Sequence, residues 1–123
     1  MKYLKYVTIS LCFFLNACSA SEDDVIHKID AAQVKEMLDH DTAIVVDVRS
    51  KEEYEEGHLP DAQNVPLNEI DKADALYEKD APLIVYCRSG ARSAQAAQSL
   101  KEAGFTDIYD MGGILDWPYD IEK

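Results

Sequence analysis

The chain has 123 residues, a length that fits one domain, and 47% of them are apolar, ample for a core. Twelve basic side chains against 24 acidic ones leave a formal charge of −12, which argues against nucleic-acid binding, since that needs a basic face. Its three cysteines form neither a CxxC motif nor a Cys/His cluster with metal-ligand spacing, so no metal is expected.

In chain order, the first segment reads as an address. Lys2 and Lys5 make a short basic region, and the apolar run from Val7 to Leu15 is too short to span a bilayer as a helix. Leu15-Asn16-Ala17-Cys18-Ser19 then resembles the processing site of bacterial lipoprotein signals. That resemblance implies that residues 1–17 are a signal peptide and that Cys18 is lipidated on its sulfur. The product would be exported to the periplasm or cell surface and touch the membrane only through its lipid. The alternative is cleavage near Ala20 and a soluble periplasmic protein. Residues 18–24, with the acidic run Ser21-Glu22-Asp23-Asp24, are expected to be a flexible tether, and 25–123 the domain. Cys12 would leave with the signal, and Cys18 would be lipidated or removed, so Cys87 would be the free thiol of the mature chain. In an oxidising compartment a free thiol is a liability unless it is used, and its resting form there would be a persulfide or an oxidised adduct.

The domain alternates strands and helices. Val25–Ile29 is a candidate first strand. Asp30-Ala31-Ala32-Gln33 has the capping-box pattern of a helix start, and Val34, Met37 and Leu38 give that helix an apolar core face. Ala43–Val48 is a near-continuous apolar run, as in a parallel strand buried on both faces. Asp47 within it needs a partner, and Arg49, two residues on, shares its face. Ser50-Lys51-Glu52-Glu53 repeats the capping box, with Gly57 as the stop. Asn64–Leu67 should be a short edge strand, because Pro66 cannot donate to a ladder. Asn68 can cap a helix over Glu69–Tyr77. A last strand is expected at Asp107–Met111, followed by a tight turn at Gly112-Gly113 and a core cap at Trp117. His27 and His40 read as surface residues. The whole is an α/β domain with a mostly parallel central sheet flanked by helices on both faces.

The chemistry concentrates in Leu83-Ile84-Val85-Tyr86-Cys87-Arg88-Ser89-Gly90-Ala91-Arg92-Ser93. Four apolar residues of a buried strand lead into Cys87. A loop with two arginines follows, and then a run of helix formers from Ala94 to Ala103 stopped by Gly104. A cysteine where a strand ends and a helix begins meets converging loop N–H groups and the positive end of the helix. Arg88 and Arg92 add full charges. Each effect draws an anion to the sulfur and favours its use as a nucleophile. A buried cysteine is ordinarily inert packing, but core packing does not explain Arg-Ser-Gly-Ala-Arg directly after it.

Cys87-Arg88-Ser89-Gly90-Ala91-Arg92-Ser93 resembles the active-site loop of the rhodanese family of sulfurtransferases. Asp47-Val48-Arg49, Glu53-Tyr54, Gly57-His58-Leu59-Pro60 and Ala62-Gln63-Asn64-Val65-Pro66 are similar to the family's upstream signature. Gly104-Phe105, Met111-Gly112-Gly113-Ile114 and Trp117 are similar to its C-terminal one. Asp61 stands where the family usually has Gly. The resemblance implies a rhodanese-like fold and thiosulfate sulfurtransferase chemistry. Cys87 would take a sulfane sulfur from thiosulfate or a similar anion as a covalent persulfide, with no cofactor, and pass it to cyanide, a thiol or a small-protein acceptor. Arg88, Ser89, Gly90, Ala91 and Arg92 would bind the donor and the persulfide. Asp47, Arg49 and Ser93 would support the loop, and His58 would hold its turn. Two other readings remain: a non-catalytic sulfur carrier or binding module, and a phosphatase or arsenate reductase. The latter needs Cys-x5-Arg where this chain has Cys-x4-Arg.

Overall fold

The two apolar runs become neighbouring strands at the centre of the molecule. The computed structural model describes residues 25–123. The expected signal segment with Cys12, the lipidation candidate Cys18 and the expected 18–24 tether lie outside the described residues. Strands β1 (Ile26–Lys28), β2 (Ile44–Asp47), β3 (Gln63–Asn64), β4 (Leu83–Cys87) and β5 (Ile108–Gly113) form one sheet in the order β1-β5-β4-β2-β3. Every pairing in it is parallel. Four helices join them: α1 (Ala31–Asp39), α2 (Lys51–Glu56), α3 (Ala73–Leu76) and α4 (Ala91–Glu102).

Side chains alternate along a strand, so the sheet has two cores. Val46, Val85 and Cys87 face Ala96, Ala97 and Leu100 of α4. Val45, Ile84 and Tyr86 face Val34 of α1, Leu59 and Trp117. Both faces are covered, as the apolar runs demand, and all five residues of β4 are buried. The capping boxes at Asp30/Gln33 and Ser50/Glu53 are both formed, and Gly57 caps α2.

Several boundaries differ from the sequence expectation. The edge strand is Gln63–Asn64 and stops before Pro66, which instead opens a 3-10 helix over Leu67–Lys72. The single helix expected at Glu69–Tyr77 is therefore a 3-10 helix followed by the short α3, and Asn68 does not cap it. Leu67, Ile70 and Ala73 all pack on the α4-side core, but the chain kinks at Glu69, whose φ −121° and ψ 18° are not helical, so no single regular helix runs through the segment. Helix α4 begins at Ala91 rather than Ala94, so the loop after Cys87 shrinks to Arg88-Ser89-Gly90. His27 is half-buried, stacked on Tyr109 at 5.0 Å between ring centres. Asp61 sits at φ +62°, the conformation glycine adopts most easily, and its N–H donates to Glu122 Oε1 at 3.2 Å.

Gly112 and Gly113 are not a turn. They end β5, paired with Tyr86 and Cys87 across a register irregularity after Val85. Gly113 lies directly under the cysteine loop: a Cβ there would sit 2.3 Å from Arg88 O and 2.8 Å from Ser89 Cα. Gly113→Ala therefore has to displace backbone. It is expected to lower stability by about 1–3 kcal/mol, the usual cost of overpacking, in urea denaturation.

Candidate active site

Cys87 is the last residue of β4 and is 1% exposed. The first four N–H groups of a helix have no partner within it. In α4 the N–H of Ser93 donates to Cys87 Sγ at 3.3 Å, and that of Ala94 to Gly90 O at 3.2 Å. Gly90, at φ +117°, turns its own N–H onto the sulfur at 3.0 Å. The buried Ser93 closes the turn by donating its hydroxyl to Gly90 O at 3.0 Å. On the outer side Arg88 O accepts from Leu115 N at 3.3 Å, which fastens the loop to the segment after β5. The result is a sulfur aimed at the start of a 12-residue helix and held by two main-chain donors. Ala91 and Arg92, the first two residues of that helix, have N–H groups with no acceptor inside it.

The two arginines have different surroundings. Arg88 is exposed and its guanidinium has no hydrogen-bond or ion-pair partner among the described residues. Arg92 is partly buried and paired through both terminal nitrogens with Glu53, at 2.8 and 3.1 Å. Glu53 also closes the α2 capping box, accepting from Ser50 N and Ser50 Oγ, each at 3.0 Å. The Arg92 hydrogen bond is the main cause that holds the Glu53 carboxyl down at about 2. The same bond, reinforced by the Glu53 charge, raises Arg92 against the lowering effect of burial. Glu53 was legible in the sequence as a capping residue. Its pairing with Arg92, 39 positions away, had no local signal.

Asp47, Arg49 and Tyr86 lie on the opposite face of the sheet from Cys87, in the core that holds Val45. Arg49 donates through Nε to both Asp47 oxygens, at 3.0 and 3.1 Å, and through one terminal nitrogen to Oδ2 at 2.6 Å. That nitrogen also reaches Gly57 O at 2.6 Å. Tyr86 Oη donates to Asp47 Oδ2 at 2.8 Å and accepts from Leu59 N at 3.1 Å. Asn64 Nδ2 spans Asp47 O and Arg49 O, both at 3.0 Å. Burial, reinforced by the Asp47 charge, drives the Tyr86 hydroxyl far above its ordinary range. Burial alone would lower Arg49, and the bonds to Asp47 outweigh it. The network thus anchors the residue before Cys87 rather than touching the sulfur. His58 holds its turn: Nδ1 lies 2.9 Å from Tyr54 O and the ring stacks on Tyr54 at 3.8 Å.

A wholly parallel sheet with a cysteine cradled between its central strand and a helix N-terminus defines the class of α/β domain. Residues 30–118 match the rhodanese-like domain family, and the chain belongs to it. It is 37% identical over 92 residues to a thiosulfate sulfurtransferase of Pseudoalteromonas translucida, covering 72% of this chain and 86% of that one. It is 36% identical over 102 residues to YrkF of Bacillus subtilis, a proposed sulfur carrier protein, covering 80% of this chain. A solved rhodanese with anions from E. coli superposes with a TM-score of 0.61 at 35% identity, over 66% of this chain and 98% of that one. The chain spans only 55% of the length of YrkF and 60% of that of YqhL, another Bacillus subtilis relative.

Two outcomes follow from these contacts. Tyr86→Phe deprives Asp47 and Leu59 N of a partner, and should cost about 1–2 kcal/mol in urea denaturation. Glu53 carries a carboxyl near 2 when folded against an ordinary 4.5. Between these values the unfolded chain binds a proton that the native one does not, so this contribution is full above about 4.5 and is lost as the pH falls toward 2. Because the pair is partly exposed, the loss should be on the order of 1 kcal/mol. It should appear as a steeper acid destabilisation of the wild type than of Glu53→Gln in denaturation at pH 6 and pH 3.

Proposed function

We propose that this protein is a sulfurtransferase that moves a sulfane sulfur from thiosulfate or a similar anionic donor to a thiophilic acceptor through a persulfide on Cys87. The observation that carries the reading is the sulfur itself, at the N-terminus of α4 with two main-chain N–H groups on it. The Cys87 thiolate attacks the outer sulfur of thiosulfate. The S–S bond of the donor breaks, sulfite leaves with the bonding pair, and Cys87 carries a persulfide anion. Cyanide or a thiolate then attacks the terminal sulfur, and the Cys87 thiolate returns. In this proposal the N–H groups of Ala91 and Arg92, which have no acceptor within α4, receive the charge of the terminal sulfur. Arg88 and the unpaired donors of Arg92 bind the anionic head of the donor. No cofactor enters, because the protein itself carries the sulfur. In this proposal residues 1–17 direct export and Cys18 bears the lipid, which places the reaction outside the cytoplasm.

The likeness to YrkF supports a second reading, a carrier that hands its sulfur to a partner without turnover. One experiment separates them. The full chain and its Cys87→Ser variant are incubated with thiosulfate without reductant, their intact masses are read, and cyanide is then added. The wild type alone should gain one sulfur, and lose it to cyanide as thiocyanate appears over many cycles. A single stoichiometric transfer would favour the carrier. No sulfur on the wild type would reject thiosulfate as donor.

A further inference from the structure

The charge at the mouth of the cradle is not what its two arginines imply. Arg92 is one half of a two-bond ion pair. Its partner Glu53 is held in turn by Ser50 at the head of α2, so the carboxylate cannot swing away without opening that capping box. The carboxylate stays ionised down to about pH 2. Arg88 is then the loop's one guanidinium without a partner among the described residues. Three of the five N–H donors of Arg92 are left for a ligand, but most of its long-range charge is cancelled.

We propose that Glu53 is a specificity-determining residue which, by pairing with Arg92, lowers the positive charge of the Cys87 cradle and favours singly charged or neutral sulfane donors over dianions such as thiosulfate. The inference rests on the donor-binding role given to the cradle above, and it adds which donors that cradle prefers. Glu53 acts through Arg92 and does not touch the sulfur. A donor with one negative charge near its sulfane sulfur, such as an organic persulfide, needs one cation and finds Arg88. A dianion needs a second full cation and finds one already paired. The net negative charge of the chain points the same way, but beyond about 8 Å it is screened, so the local pair decides.

The substitution that isolates the effect is Glu53→Gln, because glutamine at this position still serves a capping box while losing the charge. The first readout is independent of sulfur transfer. Cys87 in the full chain is alkylated with anionic iodoacetate and with neutral iodoacetamide, and the rates are followed on the peptide that contains Cys87. Their ratio cancels changes in thiol reactivity and leaves the local field. Glu53→Gln should raise the iodoacetate-to-iodoacetamide ratio by about three- to tenfold, the size of one added unit charge several ångströms away in a wet site. Arg92→Ala should lower it, and the double variant should return close to the wild type. In parallel, kcat/KM for thiosulfate relative to that for an organic persulfide should rise several-fold in Glu53→Gln, mainly through KM for thiosulfate. An unchanged ratio in Glu53→Gln would mean that Glu53 is structural only. A fall, with the double variant matching Arg92→Ala, would mean that it merely aims Arg92. Either result overturns the proposal, as does a cysteine that neither reagent reaches. Failure of sulfur to load on Cys87 would instead defeat the sulfurtransferase reading, and the alkylation ratios would still report the charge.

Discussion

A helix cannot satisfy its own first N–H groups, and in this molecule that constraint fixes the sulfur of Cys87. Helix α4 starts directly after a buried strand, with three residues between them, so its donors need acceptors within a tight turn. Ala94 uses the carbonyl of Gly90, while Ser93 and Gly90 use the sulfur of Cys87. A cysteine sulfur serves as that acceptor, so the helix start and the sulfur hold each other in place. The turn is tight enough that the β5 backbone comes up beneath it. Only a residue without a side chain fits at Gly113, where Arg88 O lies 2.3 Å from the place a Cβ would occupy.

The two faces of the sheet divide the work. On one face Cys87 packs among the small residues of α4, where Ala96 and Ala97 let the helix approach. On the other, Asp47, Arg49 and Tyr86 form a charged network in which no fully buried side-chain polar atom lacks a partner. Such a network contributes less to net stability than its short distances imply, because two ions had to leave water. Its value here is positional: through Tyr86 it ties the C-terminal end of β4 to β2 and to the turn at Leu59. Tyr86 is the residue immediately before Cys87.

Electrostatics at the site and over the whole chain run in opposite directions. The chain is strongly acidic, at −12, yet the loop presents main-chain donors, a helix N-terminus and two guanidinium groups. A single carboxylate, Glu53, carries the acidic character into the loop by holding one of those groups.

Much of this was legible in the amino-acid order. The apolar runs at 43–48 and 83–86, the two capping boxes, the cysteine between strand and helix, and the need of Asp47 for a partner are local properties. They follow from side-chain alternation, helix capping and the cost of burying charge, and each is present in the fold. Three features were decided only by tertiary structure. The segment from Leu67 to Leu76 breaks at Glu69 instead of running as one helix, with Leu67, Ile70 and Ala73 all packed on the α4-side core. Gly112-Gly113 extends β5 instead of turning, because the loop after Cys87 lies on its backbone. Arg92 meets Glu53, and Tyr86 meets Asp47, across 39 residues each. Sequence spacing carries no information on such pairs, since only the closed sheet and its flanking helices bring those side chains within reach.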